Sequence, residues 1–360
     1  MLFRSTLTTF QSDSTNMPAI YGGGNSNGES RVLVSGIPVA TQGYWSGALA
    51  KNGKIYFVPY KATQVLEIDP NTKATTLIGS VYSDSGKWVG AVLAPNGKIY
   101  CAPFHATQVL EIDPTTKTTT LIGSVYSGTS KWESICLADN GKLYCAPYKA
   151  TQVLEIDPEN RSTSLVGQNL GDDIQKWRSI VNGKNGKLYL IPGNTGRIME
   201  FNPITKEINY ANSINYGVNN FFGAVMANDG KIYFSPHGDL DRLVNFDPLT
   251  KISEFISIPG GFSRSVGICL DQNGNLVLGL FNNTYDLQLF DLKTKKLKKI
   301  KVNFHDNFIN TEYFTDMILA PNGKIYGAPY TSSKIIQIDM LPKTTDFQKY
   351  LLLPQNIINQ

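Results

Sequence analysis

The sequence predicts an all-β protein that is built from seven copies of one four-stranded unit. Nearly identical stretches begin at Tyr60, Phe104 and Tyr148, and each of them contains the segment ATQVLEIDP. An Asn or Asp followed by Gly marks every unit, and these pairs are spaced by 44, 44, 45, 44, 44 and 49 residues. Units of this length with four short strands are typical of β-propeller blades. We therefore expect a seven-bladed β-propeller with antiparallel blades.

The second unit shows the order of its elements, which are strand A near Gly90–Ala94, strand B at Lys98–Ala102, strand C at Gln108–Ile112 and strand D at Thr118–Gly123. These segments are rich in Val, Ile, Leu, Thr and Tyr, which favour strands, and turn residues separate them. The turn residues are Asn-Gly between strands A and B and Asp-Pro between strands C and D. No stretch has a sustained helical period with caps.

The NGK-[IL]-Y start of strand B and the IDP-x-[TN]-[KR] turn resemble the NHL, YVTN and virginiamycin-B-lyase-like group of seven-bladed propellers. The resemblance covers about residues 31–354. It implies the fold but says little about function, because this fold serves enzymes, lectins and scaffolds. Virginiamycin-B lyase places a metal and acid/base groups over its central channel. No matching motif occurs here, so none of those residues is transferred to this chain.

The repeat divides the chain into a polar N-terminal arm, residues 1–30, and a single propeller domain, residues 31–360. Arg31–Gly36 is in register with the D strands, so we expect it to close the ring in the last blade. Phe347–Leu353 is expected beside it, and the reverse order of these two strands stays open. The arm is either a loose terminus or a segment that docks on a partner.

The composition excludes several classes of protein. Hydrophobic residues make up 41% of the chain and charged residues 17%, which is typical of a globular domain rather than a disordered one. The net charge of +4 is too small to indicate nucleic-acid binding. No apolar stretch is long enough for a membrane span or an export signal. We therefore expect a protein of the cytoplasm or of an assembled particle.

Two aromatic series are expected on the face that carries the B–C loops and the D–A connections. The first series precedes strand A and consists of Tyr44, Trp88, Trp132, Trp177, Phe221, Ser265 and Phe314. The second series follows strand B and consists of Tyr60, Phe104, Tyr148, Gly193, His237, Phe281 and Tyr330. These aromatic rings either stack on a sugar, base or peptide, or wedge between blades and seal the core.

Polar residues beside the second series change from unit to unit, while the segment Ala-Thr-Gln that follows them in the first three units does not. Lys61, His105 and Lys149 hold this variable position in those units. Such variation is expected of a rim that recognises a ligand, and surface drift would look the same. These residues, with the aromatic ones and His237, are the candidate ligand-binding residues.

Signals for catalysis are few. His105, His237 and His305 lie in different units, and none has the spacing of metal ligands. The segment His237–Asp241 is the local cluster that most resembles a functional site. It is either a metal or acid/base site or a solvated loop. We therefore expect no catalytic residue, no metal and no cofactor.

Two further patterns have structural explanations. A run of lysines from Lys293 to Lys301 falls on a D strand, where an edge lysine discourages strand addition, although contact with an anionic partner stays open. Four cysteines, Cys101, Cys136, Cys145 and Cys269, are expected as free, buried thiols. A two-residue turn at Asn140-Gly141 would place Cys136 opposite Cys145, whereas a three-residue turn would pair Cys145 with Ile135. We expect the three-residue turn, because sister units with Pro95 or Pro321 before Asn-Gly suit a type I turn followed by a bulge.

The sequence therefore indicates a non-enzymatic binding or assembly module. Its B–C/D–A face is expected to bind a glycan, a peptide or a protein, and residues 1–30 offer a second docking segment. The alternatives are a channel-centred lyase or lactonase-like hydrolase and a structural component of a larger particle. An enzyme would need unlike polar groups that converge at one mouth of the channel.

Overall fold

A computed structural model describes residues 19–21, 31–211, 221–237, 242–259, 261–279, 286–301 and 314–341 of the chain. These residues form 29 β-strands that are joined by turns and loops, and no helix occurs among them. The strands assemble into seven antiparallel sheets. Six of these sheets have their strands in chain order, and the seventh combines the first two strands of the described chain with its last three. The predicted seven-bladed β-propeller is confirmed.

The chain begins with β1 (Ala19–Tyr21) and β2 (Arg31–Pro38), which precede the first blade. Blade 1 consists of β3 (Tyr44–Leu49), β4 (Ile55–Pro59), β5 (Val65–Ile68) and β6 (Thr75–Ile78). Blade 2 consists of β7 (Trp88–Leu93), β8 (Ile99–Pro103), β9 (Val109–Asp113) and β10 (Thr118–Ile122). Blade 3 consists of β11 (Trp132–Leu137), β12 (Leu143–Pro147), β13 (Val153–Asp157) and β14 (Ser162–Val166).

Blade 4 consists of β15 (Trp177–Asn182), β16 (Leu188–Pro192), β17 (Ile198–Phe201) and β18 (Ile208–Ala211). Blade 5 consists of β19 (Phe221–Met226), β20 (Ile232–Pro236), β21 (Leu243–Asp247) and β22 (Ile252–Ile256). Blade 6 consists of β23 (Ile268–Leu270), β24 (Leu276–Leu278), β25 (Asp286–Asp291) and β26 (Lys296–Lys301). Blade 7 consists of β27 (Phe314–Leu319), β28 (Ile325–Pro329), β29 (Lys334–Leu341) and the N-terminal strand β2.

The N-terminal strand closes the ring, as predicted. β2 pairs with β29 over its whole length, from Arg31 opposite Leu341 to Pro38 opposite Lys334. β1 pairs with the outer edge of β2 and so covers an edge that would otherwise be open. The predicted strand Phe347–Leu353 lies outside the described residues, and the division of the chain at residue 30 stays a prediction.

The core lies between neighbouring blades rather than within one of them. One cluster joins Val58 and Ile78 of blade 1 to Ile99 and Leu110 of blade 2, and similar clusters follow around the ring. The first strands of adjacent blades contact each other, and β27 contacts β3. Because each blade buries its apolar faces against the next, the first strands are fixed around one central channel.

The turns have the geometry that their residues predict. Gly141 has a φ of +79°, and the hairpin around it pairs Cys145 with Ile135 and Cys136 with Tyr144. The predicted three-residue turn is therefore confirmed, and all four cysteines are free thiols. In the Asp-Pro turns, Asp69 accepts a hydrogen bond from the backbone N–H of Asn71 at 2.9 Å.

A buried polar cluster connects adjacent blades on the opposite, A–B/C–D face. The Glu67 carboxylate accepts hydrogen bonds from Lys54 and Tyr56 of its own blade, both at 2.8 Å. It also accepts one from Lys117 of the next blade at 3.1 Å. The same arrangement recurs at Glu111 with Arg161, at Glu155 with Lys206 and at Glu200 with Lys251. This face is therefore occupied by contacts that hold the ring together.

Candidate functional site

The first aromatic series is buried between the blades. Tyr44, Trp88, Trp132, Trp177, Phe221 and Phe314 are all at most 2% exposed. The indole N–H of Trp88 donates to the carbonyl of Gln108 at 2.9 Å, and its ring packs edge-on against Tyr82. In this structure these side chains seal the core, so we do not include them in the binding surface that we propose below.

Four members of the second series, Tyr60, Phe104, Tyr148 and Tyr330, form a row of ring contacts at the mouth of the central channel on the B–C/D–A face, and Phe281 lies outside the described residues. Ring centroids lie 5.9 Å apart for Tyr330 and Tyr60, 6.2 Å for Tyr60 and Phe104, and 5.4 Å for Phe104 and Tyr148. Trp45, the residue after Tyr44, lies 4.9 Å from Tyr60. Its ring is also 5.8 Å from that of Phe222, which comes from blade 5.

We call the six residues Trp45, Tyr60, Phe104, Tyr148, Phe222 and Tyr330 the aromatic collar. All of them except Tyr148 are partly exposed. Because Trp45 belongs to blade 1 and Phe222 to blade 5, their contact crosses the channel. The collar therefore forms a continuous apolar surface at the channel mouth, with edges and faces of several rings open to a ligand.

The polar rim residues lie beside this collar. Lys61 and Lys149 are exposed, and the Lys61 ammonium lies 4.9 Å above the Tyr330 ring. His105 is half-buried and stacks on Phe104 at 4.8 Å, and burial lowers its pKa below the usual value. His237 lies 5.4 Å from Phe222, and burial together with Arg178 and Arg264 lowers its pKa to about 4. The rest of the His237–Asp241 cluster lies outside the described residues.

The collar stands over a cavity of about 220 Å³ in the central channel. The first strands of the blades line this cavity with polar groups that include Ser46, Glu133, Ser134, Arg178, Ser179 and Asp316. Glu133 and Arg178 directly follow the buried tryptophans Trp132 and Trp177. The pairing of strands A and B shifts register between Trp132 and Ser134 and between Trp177 and Ser179, so Glu133 and Arg178 lie at β-bulges. A bulge redirects a side chain, and here both side chains line the cavity.

Glu133 is a buried carboxyl group of this cavity with a raised pKa. It is 7% exposed, and burial raises its pKa to about 7, although the nearby Arg178 opposes that change. Its Oε2 atom is buried and has no hydrogen-bond partner among the described residues. A carboxyl group with this pKa exchanges protons near neutral pH, which suits acid/base chemistry as well as hydrogen bonding.

Arg178 lies between two rings of the collar. Its guanidinium carbon is 4.8 Å from the Phe222 ring and 5.7 Å from the Tyr148 ring, a typical cation–π arrangement. Its Nε atom is buried and has no hydrogen-bond partner among the residues that the structure describes. The aromatic contacts thus hold the guanidinium at the cavity while part of its hydrogen-bonding capacity stays unused.

Asp316 has a different role. Burial raises the pKa of this carboxyl group, but Ser46 donates a hydrogen bond to it at 2.7 Å and the Met317 N–H donates another at 2.9 Å. Because Ser46 belongs to blade 1 and Asp316 to blade 7, this contact joins the first and last blades at the channel. These hydrogen bonds indicate that Asp316 helps to close the ring.

Three buried lysines, Lys87, Lys131 and Lys176, hold the loops that carry the collar. The Lys131 ammonium donates to the carbonyl of Gly128 at 2.7 Å and to that of Phe104 at 3.3 Å. Lys176 likewise donates to the carbonyls of Asp173 and Lys149. Burial lowers the pKa of Lys131 and of Lys176 to about 8. Each lysine therefore ties a B–C loop to the D–A connection beside it.

Sequence reasoning missed Glu133, Arg178 and the buried lysines. A signal for the first two exists, because the residue after each strand-A aromatic can be aligned across the seven units. That position holds Val89 and Val266 in two units but Glu133 and Arg178 in two others. A charged residue at a position that is apolar in sister units indicates a special environment.

No protein-family model matches the chain, and no curated protein matches it either. Solved structures do match. Virginiamycin B lyase from Staphylococcus aureus aligns with a TM-score of 0.72 at 12% identity, covering 86% of this chain and 100% of that one. The WD40 β-propeller domain of Doa1 aligns with a TM-score of 0.61 at 12% identity, covering 82% and 92%.

A third similar structure is the extracellular domain of a protein assigned to a one-component system of B. thetaiotaomicron. It aligns with a TM-score of 0.65 at 14% identity, covering 90% of this chain and 46% of that one. At such identities the similarity shows the propeller fold alone. The three neighbours include an enzyme and two domains of other proteins, so the fold leaves the function open.

Two properties of the described residues bear on ligands and membranes. Within the described ranges, no group of three or more His, Cys, Asp or Glu side chains is arranged to hold a metal ion. The same part of the chain contains no helix that is long and apolar enough to cross a bilayer.

Proposed function

We propose that this protein is a non-enzymatic binding module. Its B–C/D–A face holds a glycan, a peptide or a protein partner at the mouth of the central channel. The observation that carries this proposal is the aromatic collar above an open polar cavity. Five of the six collar rings are partly exposed at the channel mouth, and aromatic rings provide much contact area at little cost in conformational entropy.

The exposed rim lysines provide the cleanest test. The double variant Lys61→Ser/Lys149→Ser changes two exposed side chains, so each substitution is expected to alter stability by at most about 0.5 kcal/mol. We expect unchanged unfolding and weaker retention on glycan or peptide arrays. The variant Lys293→Ser/Lys296→Ser loses the same charge at the start of the outer strand of blade 6 and in the turn before it, and it serves as the matched control.

A further variant, Tyr60→Ala, tests the collar directly and is expected to weaken retention more strongly than the lysine changes. Truncation of residues 1–28 is expected to leave this binding unchanged. A parent protein that is retained by no ligand, or variants that all bind as the parent does, would contradict the proposal. Loss of partner recruitment in the truncated protein alone would favour docking through the N-terminal segment instead.

One observation favours a second candidate, a channel-centred lyase or lactonase-like hydrolase. Glu133 and Arg178 are unlike polar groups at one channel mouth, and the pKa of Glu133 is raised to about 7. A lyase is also among the proteins with a similar fold. This candidate requires turnover of a lactone or ester that Glu133→Gln abolishes while ligand binding persists. Turnover that is the same in parent and variant would exclude Glu133 as an acid/base group.

A further inference from the structure

The channel-facing position of strand A differs in chemistry from blade to blade. In chain order it holds Trp45, Val89, Glu133, Arg178, Phe222, Val266 and Thr315, and all seven side chains line the same cavity. The charged pair, Glu133 and Arg178, comes from neighbouring blades. The cavity therefore places one acidic group and one basic group side by side under the collar.

This charged pair has hydrogen-bonding capacity that the protein does not use. Glu133 Oε2 and Arg178 Nε are both buried and lack a hydrogen-bond partner among the described residues. Buried polar atoms are nearly always hydrogen-bonded in folded proteins, and exceptions call for an explanation. A ligand that supplies a hydrogen-bond donor to Glu133 and an acceptor to Arg178 would provide the missing partners of both atoms.

The cavity has room for such a ligand. Its volume of about 220 Å³ is many times the ~10–15 Å³ that a single water requires. Trp45 and Phe222 add apolar walls to the polar floor, and Ser134 and Ser179 add hydroxyl groups beside the charged pair. The site therefore combines flat apolar surfaces with several groups that can donate or accept hydrogen bonds.

We infer that this cavity binds one neutral sugar ring, whose adjacent hydroxyl groups bridge Glu133 and Arg178. One hydroxyl donates to Glu133 Oε2 and its neighbour accepts from Arg178 Nε, since each hydroxyl can do both. The apolar face of the ring packs against Trp45 or Phe222. This inference rests on the proposed binding function and names its ligand class.

The charges of the site favour a neutral ligand over a charged one. An anionic ligand would be attracted by Arg178 but repelled by an ionised Glu133, and a cationic ligand the reverse, so neither kind of charge gains from both groups. A ring with several hydroxyl groups satisfies both partners without adding charge. The apolar face of such a ring also packs against the aromatic walls of the cavity, whereas a single charged group would make no such contact.

Substitutions that copy sister blades test this inference. Glu133→Val and Arg178→Val each introduce the residue that Val89 and Val266 already place at the equivalent positions, so the strands are expected to fold. Calorimetric titration with a panel of neutral methyl hexopyranosides measures binding of a free sugar ring. A glycan array measures binding of the same ring at the end of a chain.

We expect each Val variant to weaken sugar binding about tenfold or more, because a hydrogen bond to a charged group is lost. The double variant is expected to lose less than the sum of the two, because both residues hold the same ring. The change Glu159→Gln, which alters an exposed carboxylate of a C–D turn on the opposite face, is the control and is expected to keep the affinity. If a Val variant does not fold, Glu133→Gln and Arg178→Lys replace it.

The remaining outcomes separate this inference from the proposed function. Sugar binding that survives both Val variants but is lost in Tyr60→Ala would place the sugar on the collar, which overturns the inference and leaves the binding function intact. A parent protein that binds peptides or proteins but no sugar would also overturn the inference and leave the binding function intact. A parent that binds none of these ligands would overturn both.

Discussion

Replacing Glu133 by Gln is expected to stabilise the protein at alkaline pH. The carboxyl group is buried in the channel wall, and Oε2 has no hydrogen-bond partner among the described residues. Charging it there requires removal of its hydration shell, and the nearby Arg178 compensates for this cost only in part. Gln has nearly the same shape and carries no charge, so it removes this cost and keeps the packing.

The magnitude follows from the two pKa values. Burial raises the pKa of Glu133 from its ordinary 4.5 to about 7 in the folded protein. At about 1.36 kcal/mol per pKa unit, that difference corresponds to about 3 kcal/mol of lost stability once the pH exceeds the folded pKa. Between the two values the folded state binds more protons than the unfolded state, so this group lowers stability as pH rises. Below pH 4.5 its effect disappears.

Urea unfolding of the parent and of Glu133→Gln across pH 4 to 9 measures the effect, because other titrating groups cancel in the difference. The two proteins are expected to unfold alike near pH 4, with the variant gaining up to about 3 kcal/mol by pH 8. Glu159→Gln, which changes an exposed carboxylate, controls for the lost charge. A parent that is more stable than the variant at pH 8 would refute the reasoning, since Glu133 would then have a partner in the folded state.

Three further predictions concern the scaffold. Glu67→Gln is expected to lower the free energy of unfolding by about 1–3 kcal/mol near neutral pH. Burial alone would raise the Glu67 pKa, but hydrogen bonds from Lys54, Tyr56 and Lys117 outweigh burial and lower that pKa. Urea unfolding should therefore show the stability difference between parent and variant shrink as the pH falls through the Glu67 pKa. Deletion of residues 1–37 removes β2 and is expected to lower the melting temperature much more than deletion of residues 1–28; equal losses would contradict closure by β2. Thiol titration of the unfolded, never-reduced protein is expected to count four free thiols, and a disulfide found by mass spectrometry would contradict the hairpin register.

The fold could be predicted because its determinants are local and repeated. Asn-Gly and Asp-Pro turns fix where each strand ends, and β-rich segments of constant length lie between them. Even the pairing of Cys145 with Ile135 followed from the residues around Gly141. Strand β1 was missed because its three residues pair through the backbone and carry no alternation that distinguishes them from a loop.

The site was predicted only in part. The B–C loop residues Tyr60, Phe104 and Tyr148 lie at the channel mouth, but composition could not distinguish them from the buried tryptophans such as Trp88. Whether an aromatic side chain is buried between blades or lies at the channel mouth depends on how the strands pack on the neighbouring blade, and only the assembled ring defines that packing. The buried Lys131 was missed, since lysine is rarely buried and its carbonyl partners come from two separate loops.

The buried position of the channel residues distinguishes a selected site from surface drift. Exposed residues such as Lys61 and Lys149 can change between units at little cost, so their variation alone supports neither explanation. The channel position is different, because Val89 and Val266 are buried there and a charged residue at such a place lowers stability. Glu133 and Arg178 therefore occupy a place where drift toward charge is opposed by folding. Groups that are held at a cost to the fold are characteristic of functional sites, and this pair is where the inferred sugar site is best tested.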